Sequence, residues 1–97
     1  SSTYIYANES GPAPSQLALK MRDSHAQFFS LQGDGLLDGC KLNDGIVFNH
    51  PDSSFEAWLH LCGAASSYCT ETPGLADFEP RVRANAAMVK TFIECHM

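Results

Sequence analysis

Cys62 and Cys69 stand seven residues apart in the stretch SSFEAWLHLCGAASSYC, and what holds them limits what a chain of 97 residues can fold into. Apolar residues recur at Phe55, Trp58, Leu59, Cys62, Ala65 and Cys69. That rhythm is one face of a helix and predicts a helix over 53–69. Ser53 and Glu56 have the spacing of a capping box, and Gly63 weakens the second half. On a continuous helix the two Cα atoms lie about 10 Å apart, whereas a disulfide needs them within roughly 7 Å. The two cysteines therefore do not bond to each other. No CxxC redox pair and no zinc spacing is present. The remaining partners are Cys40 and Cys95. Two pairings stay open: Cys40–Cys69 with Cys62–Cys95, or Cys40–Cys62 with Cys69–Cys95. Either staples the helix to an upstream loop and to the C-terminal segment.

The compartment follows from that expectation. Four cysteines in fewer than 100 residues suit a secreted, extracellular domain. Asn8-Glu9-Ser10 is a glycosylation sequon, with Asn8 as the acceptor. The chain starts at Ser1 rather than Met, consistent with a removed signal peptide or a chosen boundary. No apolar run reaches the length of a membrane span. The net charge is −5, from 11 acidic and 6 basic residues. Without a basic patch, binding to nucleic acid or anionic membrane by charge is disfavoured.

STYIYA at the N-terminus reads as a strand, followed by a loop at NESGPAP. Residues 15–22 fit a helix or a strand, and 27–32 read as a strand. Asp34-Gly35, Asp38-Gly39 and Asp44-Gly45 are hairpin signals, because both residues of each pair tolerate positive φ. Short strands at GLLD and GIVFN follow. The aspartates lack the calcium-loop spacing. Val82, Ala86, Val89, Ile93 and His96 carry a helical period, and Pro80 suits a first turn, so a helix is expected over about 79–96, linked to the previous one at Pro73-Gly74. The expected fold is α+β: one small disulfide-stapled domain over 1–97, with a short antiparallel sheet packed by two or three helices.

The search for chemistry finds no constellation. His25, His50, His60 and His96 form no i, i+3 or i+4 pair. No nucleophile elbow, P-loop or dinucleotide fingerprint occurs. Glu56 reads as a cap, and with all four cysteines in disulfides no thiol nucleophile remains. No catalytic, metal or cofactor site is therefore expected.

FSLQGDGLLD followed by GIVFN resembles a stretch in the C-terminal domain of fungal cell-wall mannoproteins of the PIR type, through Phe29, Leu31, Gly35, Leu37, Asp38, Gly45, Ile46 and Asn49. The match covers about a fifth of the chain. That family's cysteine spacing and Gln-containing repeats are missing. The resemblance implies a secreted fungal surface protein, of a broader type that includes effectors and killer toxins. The expectation is a non-enzymatic interaction protein that recognises an extracellular or host protein, or a cell-wall component, by loops on a stapled scaffold. The alternatives are a killer-toxin-like chain and a small hydrolase using His60 or His50.

Overall fold

The computed structural model describes residues 2–37, 39–50, 66–71 and 77–95. Among these residues it is an α+β arrangement, a six-stranded mixed sheet with two helices. The elements run β1 (Ser2–Glu9), α1 (Gln16–Ala26), β2 (Ser30–Leu31), β3 (Gly35–Leu37), β4 (Cys40–Asn43), β5 (Ile46–Phe48), β6 (Ser66–Glu71) and α2 (Phe78–Cys95).

β1 is the centre of the sheet. Its β-branched and aromatic residues suit a pleated, two-faced strand. It pairs parallel to β2 at Ser2 and Thr3, parallel to β5 from Ile5 to Ala7, and antiparallel to β6 from Tyr4 to Glu9. Its odd residues point their peptide groups to β2 and β5. Gln32 N donates to Thr3 O, Ile5 N to Gly45 O, and Asn49 N to Ala7 O. The sheet is therefore mixed, not the short antiparallel one expected. The chain leaves β1, crosses through α1 and returns in the same direction, which a tight hairpin cannot do.

The region 15–22, open between helix and strand, is helical. Ser15 caps it by accepting from Ala18 N at 3.2 Å. Of the strand expected at 27–32, only Ser30 and Leu31 pair. Of the Asp-Gly pairs, Asp44-Gly45 forms the expected turn, Gly35 opens β3, and Asp38 lies outside the described residues. Asp44 and Gly45 both take positive φ, 52° and 74°, and join β4 to β5. This is the left-handed pair that a two-residue hairpin with the right twist demands.

Two of the sequence expectations fall at β6. The residues 66–69, expected as the end of a helix, are strand, so Cys69 sits on a sheet; the rest of that expected helix, 53–65, lies outside the described residues. The disulfide staples are also absent. Cys40, Cys69 and Cys95 are thiols, and each expected pairing needs all three of them. The spacing argument assumed a helical Cys69, and strand geometry removes its premise.

The core lies between the sheet and the helices. Ile5, Ala7 and Ile46 from the sheet meet Ala18 and Met21 of α1 and Met88 of α2. A second cluster of Cys40, Leu42 and Val47, with Tyr4 and Tyr6 against it, occupies the opposite face. α2 spans close to the expected residues but is turned the other way. Ala84 and Met88 are buried, whereas Val82, Val89 and Ile93 are 46%, 58% and 52% exposed. The strongest apolar period of the helix faces outward.

Candidate functional site

Strand alternation sorts the polar groups onto two faces. Toward the helices, β1 presents Thr3, Ile5, Ala7 and Glu9. His25 of α1 is fully buried beneath Thr3. Its Nδ1 lies 2.9 Å from Thr3 Oγ1, and its Nε2 lies 2.9 Å from Asn85 Oδ1 of α2. Thr3 Oγ1 also donates to the backbone carbonyl of Glu71. This one chain of contacts ties both helices to β1 and to the end of β6. Burial holds the imidazole below its usual range, and the Asn85 contact opposes that only partly. A buried histidine with both nitrogens engaged is a structural joint, not an open ligand.

The second cluster on this face surrounds Glu9. Its carboxylate accepts from Ser15 N at 2.9 Å, from Ser15 Oγ and from the Tyr68 hydroxyl. Burial pushes the Glu9 carboxyl up, but the Ser15 and Tyr68 hydrogen bonds win and hold it below the ordinary carboxylate value. Tyr68 is pushed up to about 12, by burial first and by Glu9 second. The Glu9 backbone is clamped as well. Its N–H donates to Asn49 Oδ1 at 2.7 Å, and its carbonyl accepts from Asn49 Nδ2 at 2.8 Å. All of this fixes the end of β1 and the start of α1.

The other face carries Tyr4, Tyr6, Cys69 and Glu71. Cross-strand register sets Tyr4 opposite Glu71 and Tyr6 opposite Cys69. The Tyr4 and Tyr6 rings lie 5.8 Å apart. Burial raises Tyr6 well above the usual phenol range, and Tyr4 and Cys40 push it further. The Tyr6 phenol therefore stays protonated and can donate. Of the two carboxylates on the sheet, Glu9 is consumed by its own hydrogen bonds. Glu71 is half-buried, closes β6, and has its backbone carbonyl held by Thr3. The sequence reading missed Glu71 because the expected helix over 53–69 took in Ser66 to Cys69 and left Thr70 and Glu71 in no element; the run Tyr68, Cys69, Thr70 was the available strand signal.

The residues singled out from sequence do not converge. Asn8 is 5% exposed inside β1, where it faces Ser67 across the strands. Cys40 is buried and Cys95 exposed at the end of α2. His50 follows β5 and is half-buried. His60, His96 and Cys62 lie outside the described residues. Among the described residues no three His, Cys, Asp or Glu side chains form a group that could hold a metal ion. No helix among them is long and apolar enough to cross a membrane.

No known family's sequence pattern matches the chain, and no curated protein does. Solved structures do. The chain is similar to a putative metallopeptidase from Shewanella denitrificans OS217, with 46% identity, a TM-score of 0.89, and coverage of 95% of this chain and 35% of that one. A putative metallopeptidase from Shewanella amazonensis SB2B matches at 39% identity and TM-score 0.93, over 97% of this chain and 35% of its own. One from Shewanella baltica OS155 matches at 40% and 0.91, again over 97% and 35%. The chain thus spans about a third of the length of the proteins it matches. These matches overturn the expectation of a non-enzymatic interaction protein, whether fungal effector or cell-surface component, and its killer-toxin-like alternative. That expectation rested on disulfides the fold does not form and on the lack of a catalytic constellation within 97 residues.

Proposed function

We propose that this chain is part of a hydrolase of the metallopeptidase type, with peptides as the substrate class. The observation that carries the reading is the 46% identity and TM-score of 0.89 to the Shewanella denitrificans protein, across 95% of this chain. The metal that such a name implies finds no donor set among the described residues. His25 is fully engaged, and Glu9 is held by Ser15 and Tyr68. The described residues by themselves would hold no metal.

What they would contribute is a positioned carboxylate and a rigid frame. Glu71 is the group to act as general base or acid, since it is half-buried at a strand end on the face that carries the Tyr4 and Tyr6 phenols. The Thr3–His25–Asn85 joint fixes the backbone from which it projects.

The test is cleavage of a peptide panel by the polypeptide that carries this chain, read by mass spectrometry with and without a divalent-metal chelator. Cleavage that stops on chelation, returns with added zinc, and is lost in Glu71→Gln without a change in melting temperature is expected. No cleavage under any metal condition, or cleavage indifferent to the chelator, sinks the reading.

A further inference from the structure

Consecutive elements β6 and α2 leave two surfaces without a partner among the described residues. The first is a sheet edge. The odd residues of β1 turn their peptide groups to β2 and β5. Its even residues therefore bond β6, through Ser67, Cys69 and Glu71. The peptide groups of Ser66, Tyr68 and Thr70 consequently point away from β1. Among the described residues no strand pairs with that edge. A six-residue strand edge that no strand pairs among the described residues is a template for another strand. The second surface is the outward stripe of α2, where Val82, Val89 and Ile93 are 46%, 58% and 52% exposed and Ala86 lies between them. Their 4-3-4 spacing is the seam of a helix that packs another helix. α2 thus has apolar residues on both sides, the pattern of a helix in the interior of a larger fold.

We propose that the β6 edge and the α2 stripe form one seam, and that its occupant is a strand and an amphipathic helix from the further polypeptide that completes a fold of the Shewanella type. The inference rests on the functional reading above. The argument for this occupant is length. The similar solved chains share this fold closely, yet this chain covers only 35% of each. The remainder has to meet this unit somewhere, and a sheet edge and an apolar helix face, each without a partner among the described residues, are where a layered fold extends. Lys90, exposed beside the stripe and without an ion pair among the described residues, favours a docking helix with a carboxylate on that flank.

Amide hydrogen exchange resolved by residue tests the seam. In the 97-residue chain alone, the amides of Ser67, Cys69 and Glu71 exchange slowly while those of Tyr68 and Thr70 exchange about tenfold or more faster. In the intact Shewanella denitrificans protein, the positions matching Tyr68 and Thr70 are as protected as their neighbours. As a second readout, Val89→Asp leaves the melting temperature of the 97-residue chain unchanged, whereas Asp at the matching position lowers that of the Shewanella protein. Protected Tyr68 and Thr70 amides in the monomeric 97-residue chain would overturn the proposal, as would fast exchange at the matching positions of the longer protein. Protection that appears only as the concentration of this chain rises would assign the seam to a second copy and overturn the stated occupant. A longer protein that shows the protection but cleaves no peptide would leave the seam standing and remove the functional reading.

Discussion

His25 Nε2 lies 2.9 Å from Asn85 Oδ1, across 60 residues of chain, and joins the two helices inside the protein. With Thr3 on the other ring nitrogen, it is a polar joint in an otherwise apolar layer. Asn85→Leu keeps the volume but leaves a ring nitrogen unsatisfied at a fully buried site. A loss of about 1–3 kcal/mol is expected, measured by urea denaturation. A change under about 0.5 kcal/mol, the usual range for surface substitutions, would show that the contact is not structural.

The same histidine sets a pH dependence. Its folded pKa is lowered by burial from 6.5. The unfolded chain therefore takes up the proton first as pH falls, and stability is lost below about pH 6.5. Glu9 acts in a separate and lower window, because its folded pKa lies below 4.5 and its contribution fades only as pH falls through that range. Melting temperature should decline in two stages on acidification, and His25→Gln should remove the upper one. A single stage near the carboxylate range in both proteins would contradict the joint.

Tyr68→Phe removes one of the donors that hold Glu9 low. The Glu9 carboxyl should titrate upward, readable by carbon NMR of the side chain. The cost is about 1–3 kcal/mol for a charge-assisted bond in a half-buried setting. No movement of the Glu9 titration would mean that Ser15 alone sets it.

Gly45 takes φ of 74°, and a Cβ there would lie 2.8 Å from Leu31 Cδ2. Gly45→Ala therefore meets both backbone strain and a side chain that has to move. A loss of about 1–3 kcal/mol is expected. Gly33 takes no positive φ, and a Cβ there meets nothing within 4 Å, so Gly33→Ala is the neutral control. Equal effects at the two sites would remove the turn argument.

Thiol chemistry checks the corrected cysteines. Cys40, Cys69 and Cys95 should all label in the denatured chain without prior reduction, and of these Cys95 should label first in the native protein because it is exposed. Reductant should leave the melting temperature unchanged. A fall on reduction would restore the staple model.

The sequence by itself determined what depends on a residue and its near neighbours. Asp44-Gly45 specifies its hairpin because few residue pairs accept two positive φ angles. Thr3 to Tyr6 specifies a strand by β-branched and aromatic content, and about 79–96 reads as a helix from its period, close to the observed Phe78–Cys95. Tertiary structure decided what depends on distant partners. SSYCTE carries a weak local preference, and pairing along the length of β1, about 60 residues away in sequence, makes it β6 rather than the end of a helix. That pairing removed the disulfide geometry and placed Glu71 on the candidate site. The period of α2 shows that it has an apolar side. It does not show that Ala84 and Met88 face the core while Val82, Val89 and Ile93 face out, because periodicity records a face and not its occupant. The parallel return of β5 beside β1 is invisible to local patterns for the same reason: hydrogen bonds between strands carry no signature in either strand alone.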